Sequence, residues 1–281
     1  MVEGSNPSGP TKKGLSLFSQ KFTLMGILNA TPDSFSGDGV FLCPQKIKQR
    51  ISTLLQSGCK VIDVGGESTR PGFLAVSDSE EWDRVSTVLS LLQEMDISCI
   101  SIDSTKPVVI EKALLSGVQI INDVNGFCDL DIIKLAQKFN AYCIVMHNAR
   151  MPRYFVDDTL QGIPLVQTMI GQLKNTVDVL LTMGISPDKI IIDPGIGFGK
   201  TFQQNWDIVK YCDHFKGLGY PVLLAASRKS FIGSLCDANV DSRLGGSLGV
   251  IAYCFQKGIS FFRVHDAYES NQLLQVMSSL I

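Results

Sequence analysis

Side chains able to do chemistry stand where eight short apolar runs of the sequence stop. They are mainly amides and carboxylates in the first part of the chain and cations near its end. In chain order they are Asn29, Glu67, Asp103, Asn122, His147, Asp193, Ser227 with Lys229, and Arg263 with His265. One polar residue at a strand end is ordinary, because strand ends often face water. Eight would converge on a common site if the runs were strands of one barrel.

The two groups suit the two ends of one ligand. Carboxylates accept pairs of parallel hydrogen bonds and amides both donate and accept, so Asp103, Asn122 and Asp193 suit a heterocycle with N–H donors and ring nitrogens. Arg263 and His265 are two residues apart and share one face of a strand, where they suit an anion such as phosphate. The residue types therefore predict a ligand with a heterocycle at one end and phosphate at the other.

The elements that would position these residues follow a repeating pattern. The apolar runs begin near Phe22, Val61, Ile97, Val118, Ala141, Lys189, Pro221 and Phe261. Continuous rather than alternating hydrophobicity indicates strands covered on both sides, as in parallel sheets. The spacers at 80–95, 106–116, 164–183 and 242–257 have helical patterns, and glycines at 58, 117, 184 and 258 mark helix ends.

Eight such units of about 35 residues match a (β/α)8 barrel. The alternative is a doubly wound open sheet, but no G-x-G-x-x-G follows the first strand. We expect an α/β protein with a single-domain TIM barrel over residues 21–281, preceded by a flexible amino-terminal tail at 1–20.

Composition excludes several classes of protein. The 25 basic and 27 acidic side chains give a net charge of −2, and no basic tract tracks phosphates, so nucleic acid is not an expected partner. None of the eight cysteines forms a C-x-x-C pair, which favours a reducing compartment. No apolar stretch approaches the ~20 residues of a membrane span, and no secretory signal opens the chain. A cytoplasmic protein is expected.

Two sequence motifs do not meet the requirements of the sites they resemble, and the role of one histidine stays open. The segment 195–201 resembles a phosphate-binding loop, but the required first glycine is Pro194. The segment 245–249 fits G-x-S-x-G, yet it lies within a helical stretch, which favours close helix packing over a nucleophile. His147 is either a base or a residue held by a structural hydrogen bond.

Blocks of sequence in a fixed order resemble the dihydropteroate synthases. They are GILNATPDSFS at 26–36, DVGGESTRPG at 63–72, SID at 101–103, IND at 121–123, DPGIGFGKT at 193–201, SRKSFIG at 227–233 and RVHD at 263–266. The resemblance spans residues 22–266. It implies a barrel that condenses 6-hydroxymethyl-7,8-dihydropterin pyrophosphate with 4-aminobenzoate, in a family that sulfonamides inhibit. One departure is the first loop, where Asp38 stands one position later than the family's acid.

The resemblance also implies residue roles. Asp103, Asn122 and Asp193 would hold the pterin, with Met146 as a further contact, Lys229 close to the ring and Arg263 stacked beside it. Asn29 would contact Mg2+ carrying the pyrophosphate. The residues that would hold the phosphates are Arg263, His265, Thr69 and Arg70. Those that would form the aminobenzoate pocket are Phe35, Thr69, Pro71, Phe198, Lys229 and Ser230.

The implied reaction is dissociative. Pyrophosphate departs, the electron-rich dihydropterin stabilises the remaining carbocation, and the neutral amine of 4-aminobenzoate attacks. The catalytic residues would be Lys229, Arg263, Asp103 and His265, with the first two loops closing to exclude water. The resemblance further implies a homodimer through late helices. The alternatives are a methyltetrahydrofolate-binding methyltransferase, which would not need the segments 68–72 and 227–229 or the Arg263–His265 pair, and a catalytically silent pterin-binding paralogue.

Overall fold

Eight parallel strands alternate with helices in a computed structural model that describes residues 21–31, 43–67 and 75–280. The strands are β1 (Thr23–Asn29), β2 (Val61–Gly65), β3 (Ile100–Asp103), β4 (Ile120–Asp123), β5 (Tyr142–Met146), β6 (Ile190–Asp193), β7 (Leu223–Leu224) and β8 (Phe261–Val264). They lie in the order β6-β5-β4-β3-β2-β1-β8-β7, and a bridge from Ile192 to Val222 joins the last edge to the first. The sheet closes into the predicted TIM barrel, a single domain.

Helices surround this barrel. They are α1 (Pro44–Gln56), α2 (Asp78–Glu94), α3 (Pro107–Leu115), α4 (Leu130–Phe139), α5 (Gly162–Thr182), α6 (Phe202–Lys210), α7 (Ser230–Cys236), α8 (Leu244–Gln256) and α9 (Ala267–Leu280). The four glycines predicted to end helices, at 58, 117, 184 and 258, all have positive φ, which glycine adopts at low cost. No helix among these described residues is long and apolar enough to cross a membrane.

The two faces of the strands build two separate apolar cores. Alternate strand residues such as Ile62, Ile102 and Val264 pack outwards against the helices. Residues of the other parity fill the barrel interior at its amino-terminal end: Met25, Val61, Cys99, Ile120, Tyr142, Ile144, Ile191, Leu223 and Phe261. Burial on both faces explains why the strands have continuous apolar sequences.

Two of the strands that are shorter than their apolar runs have a local cause. The run from Ile97 becomes β3 only at Ile100, because Asp96 has a φ of +56° and the Ile97 amide still bonds back to Leu92 in α2. The run from Pro221 gives two residues of β7, since proline has no N–H to donate to the ladder. Neither difference moves the polar residues that follow.

Candidate active site

A cavity of about 470 Å³ opens at the carboxyl ends of the strands. Ten residues predicted for the site lie in the described ranges, and all ten line this cavity: Asn29, Asp103, Asn122, Met146, Asp193, Phe198, Lys229, Ser230, Arg263 and His265. The volume is typical of a small-molecule site. The other four predicted residues, Phe35, Thr69, Arg70 and Pro71, lie outside the described residues, as does Asp38.

Arg263 connects three strands inside the barrel. Its Nε donates to Oδ2 of Asp63 at 2.6 Å, and its Nη2 donates to Oδ2 of Asp103 at 2.7 Å. Asp63 Oδ2 also accepts from Nδ2 of Asn122 at 3.2 Å. Closure of the barrel places β8 beside β1, and thus near β2 and β3, so acids from the first half of the chain meet a cation from its end. The two groups predicted as separate ligand ends are therefore interleaved in space.

The carboxyl group of Asp103 titrates unusually. Burial raises its pKa; Arg263 opposes that rise and Asp63 adds to it. Its second oxygen, Oδ1, is buried and has no hydrogen-bond partner in the described part of the chain. A buried acceptor without a donor is costly. It is therefore able to receive a hydrogen bond from a ligand.

Asp193 and Lys229 form a second charged pair of the cavity. Burial raises the pKa of Asp193, and Lys229 opposes the rise. Burial lowers the pKa of Lys229 to about 8, although the neighbouring Asp193 favours the ammonium. The Lys229 ammonium donates to the carbonyl of Ile196 and lies 4.6 Å from the centre of the Phe198 ring. A cation and an aromatic face therefore stand together on this wall.

The segment 195–200 is held in place by hydrogen bonds between its backbone and two side chains, Asp193 and Lys200. Asp193 Oδ1 accepts from the Gly195 amide at 2.7 Å, and a Cβ at Gly195, where φ is +66°, would lie 2.0 Å from the carbonyl oxygen of His147. Lys200 Nζ donates to the carbonyls of His147 and Gly195, both at 2.8 Å, and to that of Phe198 at 3.2 Å. Lys200 holds this segment in place rather than serving as a phosphate-loop lysine.

Two further cations have partners within the fold. His265 Nδ1 lies 3.1 Å from Ser227 Oγ, which also accepts from the His265 amide. Arg228 donates to both carboxylate oxygens of Asp266, at 2.9 and 2.5 Å. Asp266 therefore balances the charge of Arg228, whereas the partner of His265 is an uncharged hydroxyl.

His147 does not face the cavity. Its Nε2 lies 2.8 Å from Oε1 of Gln172 on α5, and burial lowers its pKa to about 3. The structural hydrogen bond is confirmed for this histidine. The segment 245–249 lies within α8, where only Gly246 packs closely: a Cβ there would lie 2.4 Å from the Ile232 side chain, whereas a Cβ at Gly245 or Gly249 would meet no atom of the described residues within 4 Å. The Ser247 hydroxyl donates to the Arg243 carbonyl.

Several residues at this end of the barrel escaped the sequence prediction. Asp63 interrupts an apolar run two residues before it ends, and only strand-end residues were considered. Lys106 binds Glu67 and Glu81, each at 2.7 Å, and the Val76 carbonyl at 2.6 Å, so it ties together both flanks of the segment 68–74. Arg150 lines the cavity from a loop without a sequence pattern, and Arg243 lines it from the residue before α8, within a segment predicted only to be helical.

Comparisons with known proteins agree with this geometry. The profile described as "Pterin binding enzyme" matches residues 25–265. A dihydropteroate synthase from Clostridium beijerinckii is 37% identical over 260 residues, 92% of this chain and 94% of that protein. The Xanthomonas albilineans dihydropteroate synthase, solved with 4-aminobenzoic acid, is 31% identical in sequence and superposes with a TM-score of 0.83. The match covers 92% of this chain and 93% of that one. That from Anaplasma phagocytophilum, with bound 6-hydroxymethylpterin-monophosphate, is 33% identical with a TM-score of 0.82, over 93% of this chain and all of that one.

The fold and the cavity define a barrel enzyme whose site lies at the carboxyl ends of its strands. Within that class the chain belongs to the dihydropteroate synthase family of pterin-binding enzymes. These transferases condense 6-hydroxymethyl-7,8-dihydropterin pyrophosphate with 4-aminobenzoate and serve folate biosynthesis.

Proposed function

We propose that the cavity at the carboxyl ends of the strands carries out this condensation by a dissociative route. The observation that carries the proposal is the convergence of the ten predicted residues on that one cavity. Acids and amides from β3, β4 and β6 stand there beside cations that follow or end β7 and β8. One small molecule is therefore able to touch both groups.

The pterin binds between Asp103, Asn122 and Asp193, with Met146 against the ring. These four side chains are buried, and burial makes a hydrogen bond to a carboxylate more selective, because a wrong partner leaves a charge unpaired. Asp193 takes the aminopyrimidine edge. The relative from Anaplasma phagocytophilum, solved with 6-hydroxymethylpterin-monophosphate, supports a pterin ligand.

The phosphates bind toward Arg263 and His265, with Thr69 and Arg70 as further proposed contacts. Arg263 is shared with Asp63 and Asp103, so it holds the pterin end and the phosphate end in register rather than serving the anion alone. A guanidinium offers five N–H donors, and the bonds from Arg263 to Asp63 and Asp103 leave others for the ligand.

Magnesium fits the residues present through Asn29. The Asn29 side chain lines the cavity at the end of β1 and makes no hydrogen bond to another described residue. No cluster of three or more His, Cys, Asp or Glu suited to a metal occurs in the described ranges. Mg2+ commonly takes one or two protein oxygens with water and substrate phosphates, so one amide oxygen is a compatible donor. Bound there, it would offset the negative charge of the departing pyrophosphate.

The 4-aminobenzoate binds against Phe198, Lys229 and Ser230, with Phe35, Thr69 and Pro71 as further proposed contacts. Phe198 offers an aromatic face and Lys229 a cation beside it. The amine needs no strong base, because a neutral aniline nitrogen attacks a carbocation directly. Asp103 and Asp193, both buried near the pterin, stabilise that cation electrostatically, and the cationic residues stabilise the leaving group.

We further propose a homodimer formed through α8 and α9, located in the cytoplasm. Tyr253, Tyr268 and Val276 on these helices are exposed by 38%, 58% and 59%, which supports an apolar contact between copies. All eight cysteines are free thiols, as a reducing compartment favours. Sedimentation velocity on the wild type and on Val276→Glu tests the dimer, since a charge at that position would separate the copies.

A coupled assay of pyrophosphate release, with and without 4-aminobenzoate, tests the function. We expect rapid release with the amine and slow release without it, because the carbon–oxygen bond breaks before attack. Release that depends strictly on the amine at every pterin concentration contradicts the dissociative route. No release under either condition overturns the synthase assignment of this cavity.

A further inference from the structure

Asp63 lies inside the barrel without lining the cavity. Its side chain is fully buried, two residues along β2 from Val61 of the interior apolar core. Its Oδ2 accepts from Arg263 at 2.6 Å and from Asn122 at 3.2 Å. Both of these partners line the cavity. Asp63 therefore reaches the ligand site only through other side chains.

The contacts of Asp63 fix the plane of the Arg263 guanidinium. Asp63 Oδ2 on β2 lies 2.6 Å from both Nε and Nη2, and Asp103 Oδ2 on β3 lies 2.7 Å from Nη2, so carboxylates on two neighbouring strands hold one edge of a rigid, planar group. With one of them removed, the guanidinium would be free to rotate about its remaining bond. The same oxygen of Asp63 also directs the amide of Asn122, which faces the pterin site.

Stability does not account for this carboxylate. Asp63 Oδ1 is buried and has no hydrogen-bond partner among the residues that the structure describes. Burying a carboxylate costs free energy that even a good ion pair often only offsets, and replacing both partners of such a pair by well-packed apolar residues is frequently neutral or stabilising. The benefit of the charge is thus in the orientation of its partners.

We infer that Asp63 is a positioning residue for the condensation, which orients Arg263, and to a lesser extent Asn122, without touching either substrate. The inference rests on the proposed function of the cavity. Arg263 carries most of the effect because its bond to Asp63 is the shorter and the charged one. Loss of Asp63 should then slow pyrophosphate departure while leaving the aminobenzoate pocket intact.

Asp123 provides a matched control. It is equally buried on the adjacent strand β4, but its oxygens accept from the backbone amides of Asn125 and Phe127, both at 2.8 Å. It holds its own loop and contacts none of the cavity-lining side chains named above. The two aspartates thus separate orientation of the site from stabilisation of the fold.

The experiment compares Asp63→Asn with Asp123→Asn in the full chain. For Asp63→Asn we expect kcat to fall about 10- to 100-fold, as when a carboxylate that orients a functional side chain is removed. The KM for 4-aminobenzoate should change by less than about twofold, which is the scatter expected of independent sites. The Tm should fall, because Arg263 loses one of its two carboxylate partners, but the protein should still fold because Asp103 remains beside it. Asp123→Asn should lower the Tm with kcat nearly unchanged.

A double-mutant cycle with Arg263→Gln identifies the route of the effect. If Asp63 acts through Arg263, then adding Asp63→Asn to Arg263→Gln changes kcat by less than about twofold. Fully additive losses overturn the inference, as does an Asp63→Asn variant with wild-type kcat. If Asp63→Asn does not fold, Asp63→Ser, which has the same hydroxyl group as the neighbouring Ser101, takes its place with the same expected outcomes.

Failure of the inference differs from failure of the proposed function. An inactive wild type refutes the function before any variant is compared. An active wild type with an Asp63→Asn variant that loses only stability refutes the positioning role alone.

Discussion

The two ends of the barrel interior differ completely although the same eight strands build both. At the amino-terminal end the inward residues are apolar, among them Val61, Ile191 and Phe261. Two residues further along the same strands the inward side chains are Asp63, Asp193 and Arg263. In β2, β6 and β8 the inward face thus changes from apolar to charged within a single side-chain repeat.

This contrast shows how a barrel separates stability from reactivity. The apolar end removes large side chains from water and stabilises the closed sheet. The charged end buries carboxylates and cations whose mutual attraction about offsets the cost of their desolvation, so it adds little to stability. Substitutions at the two ends should therefore change different observables.

The largest effect is expected at the apolar end. Phe261→Ala removes a fully buried ring and should lower the free energy of unfolding by about 3–5 kcal/mol, as measured by urea denaturation. The kcat of the folded protein should fall far less than in the charged-end variants. Phe155→Ala, at a position 64% exposed, is the control and should stay within about 0.5 kcal/mol of wild type. A large fall in kcat for Phe261→Ala with unchanged stability would contradict the assignment of stability to the apolar end and of reactivity to the charged end.

At the charged end, Lys229→Ala should lower kcat/KM by about 10²- to 10³-fold, equivalent to roughly 3–4 kcal/mol, because it removes the cation proposed to lie beside both the pterin and the 4-aminobenzoate. Steady-state assays measure the loss, and a thermal melt checks folding. The exposed Lys210→Ala should retain activity. Near-normal turnover of Lys229→Ala would remove this residue from the mechanism.

An intermediate effect is expected where Lys106 ties Glu67 to Glu81 at the rim. Lys106→Met leaves the almost fully buried Glu81 without its counter-charge and should cost about 1–3 kcal/mol of unfolding free energy. Adding Glu81→Gln should recover part of that loss. If the double variant is less stable than Lys106→Met alone, the ion pair is not the source of the stabilisation.

The smallest effect is a pH dependence of about 1.4 kcal/mol per pH unit. Lys229 has a folded-state pKa of about 8, below its usual 10.5, so its ammonium is lost above pH 8 and kcat/KM should fall there. Over that window the unfolded chain binds more protons at this lysine, so this group makes the unfolding free energy rise with pH. Lys229→Arg should abolish the fall of kcat/KM above pH 8, since a guanidinium does not titrate in this range. If kcat/KM of Lys229→Arg still falls above pH 8, a titratable group other than Lys229 causes the fall.

The sequence predicted the barrel well because the strands are covered on both faces and four of the helices, α1, α3, α5 and α8, end at a glycine. Ten of the residues predicted for the site line one cavity, seven of them because strand ends in a parallel barrel must converge, and their roles in binding and catalysis stay predictions. The sequence prediction missed Asp63, whose importance depends on a contact 200 residues away with Arg263. The sequence also predicted that the acids and the cations form two separate groups, because the order of residues along the chain does not show that β8 closes beside β1. The roles of Thr69, Arg70, Pro71 and Phe35 stay predictions.

The interior apolar core of Met25, Ile191, Phe261 and their neighbours closes the barrel below the cavity, so the cavity is a well with one closed end. A molecule that occupies the bottom of such a well blocks nothing above it, whereas one seated near the opening obstructs everything below. The deeper reactant must therefore arrive first, and a joined product must withdraw with its shallow end leading. Packing at one end of the cylinder thus imposes an order of events at the other.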